Sequence, residues 1–284
     1  MSDHRGPKTL SKDSFAGSGI GRPAVGMDPG RFRTLHFRVE PPVARLTIDH
    51  PEHNLLNEQL LRELTAALES LSTRPDVKVV VLNAAGKVFS GGMDIDEYTA
   101  ERAFQVVDSF HVACTAIIEL AQPVIVVVEG PAIGGGAELA AFGDLVVATP
   151  KARFALPEIT IGMFPPLAST MFPHLVGPKL ALELILTGGA LGAERAQALG
   201  LVNLLVPEAQ LEKSLSDLLA RITSQSGAVL AMAKKAVVGG MGLPLRDALR
   251  FSMDIFLNEL YRLEDSREGL RALVEKRKPE WKNR

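Results

Sequence analysis

The sequence predicts an α/β fold in which helices cover a parallel sheet. Two observations lead to this prediction: short runs such as Val124–Val128 are apolar throughout, and apolar residues recur at helical spacing in the segments between them. A strand that is apolar on both faces is buried between layers, and a helix is the usual connection between two parallel strands. The chain has 284 residues, 46% of them hydrophobic, which is enough to bury a sizeable core.

Strands and helices alternate in the first half of the chain. Two β-prone runs, 36–39 and 43–48, are separated by Pro41-Pro42 and predict a hairpin-like pair. The elements predicted after this pair are a helix over 60–71, a strand over 77–82, a helix over 106–120, a strand over 124–128, a tight turn into a helix over 134–142, and a strand over 145–148.

Strands become rare in the last third of the chain. One short apolar run remains at 201–206, and the helices predicted there are 180–186, 193–199, 211–222, 228–238 and 245–263. We therefore predict an α/β core over 31–206 and a C-terminal helical region over 207–284. Residues 1–30 hold six glycines and three prolines without periodicity, which predicts a disordered extension.

Composition excludes several classes of function. The formal charge of −2 gives no bulk attraction to nucleic acid or to an anionic membrane. Cys114 is the single cysteine and forms no internal disulfide, which is typical of a reducing compartment. No apolar stretch is long enough to span a bilayer and no secretory signal is visible, so we expect a cytoplasmic protein.

Motif searches exclude further kinds of site. The sequence contains no Gly-x-Ser-x-Gly nucleophile motif and no phosphate-binding loop ending in Gly-Lys-Ser/Thr. The six histidines show no spacing that recurs in zinc sites, so we expect no metal. His50 and His53 lie close together in a proline-containing loop, where solvated surface is the simpler interpretation.

Three glycines, Gly134-Gly135-Gly136, stand where the strand Val124–Val128 leads toward a helix. Glycines at the start of a helix let a ligand approach the free N–H groups there, an arrangement that suits a phosphate or a developing oxyanion. Tight packing of helix on sheet is the structural alternative. Glu138 favours a functional site, because it lies in the first turn of an otherwise apolar helix and a buried glutamate is rare unless it is paired or functional.

A second glutamate and a second glycine turn complete the candidate site. Glu158 also has apolar neighbours, and two carboxylates in low-polarity surroundings can serve as one acid and one base. Gly91-Gly92 follows the strand predicted over 77–82, and a turn there would expose further N–H groups. The alternative is an ordinary loop before a helix capped by Asp94.

These stretches resemble the crotonase (enoyl-CoA hydratase/isomerase) superfamily over roughly residues 32–284. The resemblance is carried by Phe89–Asp94, Gly130–Ala140 and Phe154–Gly162. It implies a crotonase-type spiral ββα core with a C-terminal helical layer that contributes to trimerisation and site closure. It also implies a homotrimer or a dimer of trimers.

The resemblance also implies roles for individual residues. The backbone N–H groups of Met93 and Gly135 would form an oxyanion hole, and Glu138 and Glu158 would be the two catalytic carboxylates. The family needs no cofactor, since CoA is part of the acyl-CoA substrate. Some relatives bind RNA, an alternative that the paired glutamates and the acidic balance disfavour.

The loop after Gly162 departs from the Pro-Gly-x-Gly-Gly type of ordinary enoyl-CoA hydratases. Its Phe164-Pro165-Pro166-Leu167 run, together with the C-terminal residues 268–284, is similar to hydratases of cyclohexa-1,5-dienecarbonyl-CoA, which serve aromatic degradation. We therefore expect these four residues to line the substrate pocket and the substrate to be a conjugated enoyl- or dienoyl-CoA. The alternative is a general enoyl-CoA hydratase or a double-bond isomerase acting on a linear acyl-CoA.

Overall fold

A six-stranded sheet forms the centre of the protein, for which a computed structural model describes residues 32–99 and 101–284. The strands lie in the order β1-β2-β3-β4-β6-β9. Their bounds are β1 Leu35–Glu40, β2 Val43–Ile48, β3 Val79–Ala84, β4 Val124–Val128, β6 Leu145–Ala148 and β9 Leu204–Leu205. Only the β1–β2 pair is antiparallel, and all other pairs in this sheet are parallel. The predicted hairpin and parallel sheet are both confirmed.

Helices cover the two faces of this sheet. Their bounds are α1 Glu58–Leu71, α2 Ala103–Glu119, α3 Gly135–Ala141, α4 Ala168–Val176, α5 Pro178–Thr187, α6 Ala193–Ala198, α7 Leu211–Thr223, α8 Gly227–Gly240, α9 Leu245–Asp254 and α10 Glu264–Glu275. In β3, Val80 packs in one hydrophobic core with buried residues of α1 and α2. Val79 and Val81 pack in a second hydrophobic core with buried residues of α7. Alternate residues of one strand thus face different helices, which is why the strand is apolar throughout.

A second, three-stranded sheet was not predicted, and it is what brings the candidate site together. It consists of β5 Pro131–Ile133, β7 Arg153–Ala155 and β8 Ala190–Gly192, in the order β5-β7-β8. Strands of three residues are too short to give a periodicity in the sequence. The parallel β5–β7 pairing sets Ile133 opposite Ala155, so the segments that follow the two strands run side by side.

One predicted helix differs in type, and one helix was not predicted. The helix predicted over 245–263 is helical through Arg262 but changes from α to π geometry after Asp254, where the N–H of Leu260 donates to Ile255 O and Phe256 O, and a short 3₁₀ turn follows. Leu263 is extended and separates this stretch from α10. Helix α4 was not predicted; it contains Pro173 and follows two further prolines, which obscure a helical pattern.

The remaining predictions differ from the structure in the bounds of an element, or they concern residues that the structure does not describe. Strand β3 begins two residues later than predicted, because Val77 N–H donates to Arg74 O in a turn. The extension predicted for residues 1–30 lies outside the described residues. In residues 32–99 and 101–284, no helix combines the length and the apolar character needed to cross a membrane.

A buried ion pair joins helix α8 to the sheet. Lys234 Nζ lies 2.7 Å from Asp144 Oδ2, its side chain is 6% exposed, and it also donates to Ile117 O at 2.8 Å. We expect Lys234→Met to lower the free energy of unfolding by about 3 kcal/mol or more, because Asp144 would remain charged and partly buried without its partner. Urea denaturation measures this loss.

The adjacent Lys235 provides a matched control. It pairs with Glu259 at the surface, where both side chains are well exposed, so Lys235→Met should cost no more than about 1 kcal/mol. Equal losses in the two variants would contradict the stabilising role assigned to the Lys234–Asp144 pair.

Candidate active site

Met93 lies in a loop that is anchored to the segment preceding α1. Leu56 N–H donates to Gly92 O at 2.8 Å, and Asp94 N–H donates to Leu56 O at 3.0 Å. Leu56 and Met93 therefore pair as an isolated parallel bridge. The bonds on both sides of Met93 fix the backbone of this residue.

Gly135 begins α3 and contacts the Met93 loop. The preceding Gly134 has φ +51° and ψ −123°, a conformation that favours glycine, and its N–H donates to Ala155 O at 2.7 Å. A Cβ built on Gly135 would lie 2.9 Å from Met93 Sδ. The structure thus brings together the two residues predicted to supply backbone donors.

Glu138 is buried in the first turn of α3, with 2% of its surface exposed. Its Oε1 accepts a hydrogen bond of 2.7 Å from the N–H of Ala168, the first residue of α4. Burial raises the pKa of Glu138 to about 7; the N–H of Ala168 opposes this shift and the charge of Glu158 adds to it. The side chain is therefore poised to exchange a proton near neutral pH.

Glu158 follows β7 and lies against Gly134. A Cβ built on Gly134 would be only 2.5 Å from Glu158 Oε1. Within the residues that the structure describes, the buried Oε2 of Glu158 has no hydrogen-bond partner. Burial raises the pKa of Glu158, against the effect of its own backbone N–H. One carboxylate oxygen is thus left to bind a molecule that enters the site.

The two glutamates interact electrostatically, because the charge of Glu158 raises the pKa of Glu138. Both also adjoin Gly134: Glu158 Oε1 lies against this residue, whose carbonyl accepts the N–H of Glu138 at 3.0 Å. No lysine, arginine or histidine in 32–99 or 101–284 forms a salt bridge with either carboxylate. A buried acid beside a half-buried one, with no such salt bridge to either, can hold a proton near neutral pH, so the pair suits acid–base chemistry.

Tyr98 is a further residue whose phenol is affected by both glutamates, and the sequence interpretation did not single it out. It is half-buried, and burial together with the charges of Glu138 and Glu158 raises the pKa of its phenol. Both carboxylates therefore act on this side chain. Its position five residues after Met93, just beyond a 3₁₀ turn capped by Asp94, is the one signal that would have indicated it.

The loop predicted to line the substrate pocket is exposed in part. Phe164 is 62% exposed and Pro166 is exposed, whereas Pro165 is buried and Leu167 packs partly against the core. The loop leads directly into Ala168, whose N–H binds Glu138. Its observed contact with the site is therefore through the backbone, and the pocket role of its side chains stays a prediction.

The remaining candidate groups do not converge on a metal site. In the described ranges, no group of three or more His, Cys, Asp or Glu side chains is placed to hold a metal ion. His50 Nδ1 lies 2.8 Å from Leu55 O, and His53 is exposed. The interpretation of His53 as solvated surface is confirmed, whereas His50 is half-buried and bonded within its own loop.

Comparison with known proteins places this architecture in a family. Residues 38–284 match the family described as enoyl-CoA hydratase/isomerase. This chain belongs to the enoyl-CoA hydratase/isomerase family. The match confirms the predicted superfamily, and the relatives named as hydratases are consistent with a carbon–oxygen lyase of the enoyl-CoA hydratase type.

Several members of the enoyl-CoA hydratase/isomerase family are similar over nearly their whole length. A probable enoyl-CoA hydratase of Rhizobium meliloti (strain 1021) is 36% identical over 265 residues, covering 89% of this chain and 99% of the relative. Cyclohexa-1,5-dienecarbonyl-CoA hydratase of Thauera aromatica is 31% identical over 242 residues, covering 84% and 93% respectively.

Solved structures of this family share the fold. The crystal structure of enoyl-CoA hydratase from Bacillus anthracis has a TM-score of 0.84 and 29% identity, covering 89% of this chain and 100% of the other. The crotonase-type fold predicted from the sequence is thereby confirmed.

Proposed function

We propose that this protein adds water across the conjugated double bond of an enoyl- or dienoyl-CoA thioester, using Glu138 and Glu158. The observation that carries the proposal is the buried carboxyl of Glu138 with the half-buried carboxyl of Glu158, neither of which forms a salt bridge within the described residues. The contact between the Met93 loop and Gly135 accompanies them. No separate cofactor is needed, since CoA is part of the substrate.

The reaction follows from these groups. The thioester oxygen accepts hydrogen bonds from the N–H groups of Met93 and Gly135, which stabilise the negative charge that develops there as an enolate forms. One carboxylate removes a proton from a water molecule while the water oxygen bonds to the β-carbon. The other carboxylate delivers a proton to the substrate carbon, so the elements of one water are added and the pair keeps one proton.

We further propose a cyclic dienoyl acyl group, cyclohexa-1,5-diene-1-carbonyl-CoA, as the preferred substrate. Its support is the Phe164–Leu167 loop and the 31% identity to the Thauera aromatica hydratase. The competing substrate is a linear enoyl-CoA, which the 36% identity to the Rhizobium meliloti protein favours.

A panel of CoA thioesters tests both the proposed hydratase activity and the proposed acyl group of the substrate. It contains crotonyl-CoA, a longer linear 2-enoyl-CoA, a 3-enoyl-CoA and cyclohexa-1,5-diene-1-carbonyl-CoA, with each product identified by mass spectrometry. Hydration of the cyclic diene with the highest kcat/KM is expected. A higher kcat/KM for a linear 2-enoyl-CoA would overturn the substrate assignment alone, and isomerisation without gain of water would overturn the hydratase proposal.

The pH dependence of hydration is a separate prediction. Catalysis needs one proton on the Glu138–Glu158 pair, and the pKa of Glu138 lies at about 7. The value of kcat/KM should therefore fall as the pH rises through about 7, because the free enzyme loses the proton that the pair must hold. A pH profile measured at constant ionic strength tests this, and a rate constant that is flat from pH 6 to 9 would contradict it.

We also propose that the chain assembles as a homotrimer or a dimer of trimers through its C-terminal helices. The support is a set of exposed large apolar side chains in this region: Val237, Met241, Leu245, Leu249, Met253, Phe256, Leu257, Leu273 and Val274. Sedimentation equilibrium should give three or six times the chain mass of 30.5 kDa. A monomer would overturn the assignment.

A further inference from the structure

The buried hydroxyl of Ser90 lies in the turn that leads to Met93, and the reaction scheme above leaves it unused. Its Oγ donates to Asn54 O at 2.8 Å and accepts from Gly92 N–H at 3.1 Å. Ser90 has none of its surface exposed. The hydroxyl therefore holds the Gly91–Gly92 peptide in a fixed orientation, directly before the peptide that carries the Met93 N–H.

The backbone of Ser90 is bound to the other donor segment. Ser90 pairs with Ala132 of β5, and its carbonyl oxygen accepts from Ile133 N–H at 2.9 Å. A Cβ built on Gly136 would lie 2.7 Å from Ser90 Cβ, so α3 packs directly on this residue. Ser90 thus connects the turn before Met93 to the segment that carries Gly135.

Asn54, which accepts the Ser90 hydroxyl bond, is itself immobilised. It is 3% exposed, and its Nδ2 donates to Ala85 O at 2.9 Å and to Val88 O at 2.8 Å. Its Oδ1 accepts from His50 N–H at 2.9 Å. The acceptor of the Ser90 hydroxyl is therefore fixed by three bonds to neighbouring backbone.

We infer that Ser90 is a positioning residue whose hydroxyl sets the N–H of Met93 relative to the N–H of Gly135. The inference rests on the proposed function, in which both N–H groups bind the thioester oxygen. Stabilisation of a developing oxyanion depends on donors that are already in place, so a small displacement of one donor reduces the rate. Ser90 itself is fully buried, so we expect it to act through the backbone and not by contact with the substrate.

The variant Ser90→Ala removes only the hydroxyl. We expect kcat for hydration to fall about tenfold while KM changes less than about twofold, because the donors bind the transition state more strongly than the substrate. A second readout is the absorption band of a bound CoA thioester of an electron-rich cinnamic acid, which moves to longer wavelength when its carbonyl is polarised. This red shift should be smaller in Ser90→Ala than in the parent protein.

Thr65→Ala is the matched control. Thr65 is also buried, and its hydroxyl donates only within its own helix, to Leu61 O. Both variants are compared at a temperature at which circular dichroism shows them to be folded, and Thr65→Ala should retain the parent kcat and red shift.

The outcomes separate this inference from the proposed function. An unchanged red shift and a kcat within twofold of the parent in Ser90→Ala would overturn the role of Ser90, as would a rise in KM alone. If the parent protein itself gives no red shift, the proposed binding of the thioester oxygen fails, and the inference fails with it.

Discussion

Glu138→Gln is expected to lower kcat for hydration by about 10²-fold or more, because the variant cannot exchange the proton that passes between water and substrate. The substitution keeps the size of the side chain and an oxygen that can accept the Ala168 N–H, observed at 2.7 Å. The loss should therefore appear in kcat rather than in folding. Glu158→Gln should produce a loss of the same order, and near-parent turnover in either variant would remove that residue from the mechanism.

Glu138→Gln should also be more stable than the parent protein at alkaline pH. The pKa of Glu138 is raised from 4.5 to about 7 in the folded protein, so its contribution to stability is complete below about pH 4.5 and is lost as the pH rises through about 7. The loss amounts to roughly 3 kcal/mol at pH 8 and above. Urea denaturation at pH 5 and pH 8 should show a gap in favour of Glu138→Gln that widens with pH; a gap independent of pH would contradict the raised pKa.

Glu63 provides a control, because the pKa of its carboxyl is shifted in the opposite direction. It is also buried, yet burial is outweighed by the N–H groups of Arg33 and Thr34, which lower the pKa of this carboxyl. Its stabilising contribution is therefore present above the usual pKa of about 4.5 and is lost as the pH falls. Glu63→Gln should destabilise the fold at pH 8 and leave kcat close to that of the parent.

Gly134→Ala is expected to lower kcat by about 10²-fold, through displacement of Glu158. Gly134 has φ +51°, and a Cβ at this position would lie 2.5 Å from Glu158 Oε1. The carboxylate must then move away from the position that the proposed mechanism requires, or α3 must shift at its first turn. Steady-state kinetics with the preferred thioester of the panel measure the loss.

Gly177→Ala is a control that distinguishes the clash with Glu158 at position 134 from the backbone strain that alanine causes at a positive φ. Gly177 has φ +81° between α4 and α5, and a Cβ built there would meet nothing within 4 Å. The variant should therefore lose stability and retain kcat. If the two variants lose kcat equally, the contact between Gly134 and Glu158 is not what makes glycine necessary.

The central sheet could be predicted because its strands are buried on both faces. The bounds predicted for Val43–Ile48, Val124–Val128 and Leu145–Ala148 are those observed. The small sheet of β5, β7 and β8 could not, since three residues of any composition carry no periodicity. Tyr98 was not predicted because it belongs neither to the glycine turns nor to the pair of glutamates from which the candidate site was inferred.

The sequence by itself determined the α/β class and the family resemblance, and it singled out the two glutamates as candidate catalytic residues. An acidic side chain in an apolar segment, or three glycines before a helix, is visible without coordinates because the cost of burying charge and the freedom of glycine are local properties. Only the tertiary structure decided that Glu158 lies against Gly134 and that Ala168 binds Glu138. Those contacts depend on the β5–β7 register and on α4, and pairing between distant segments is not encoded in either segment alone.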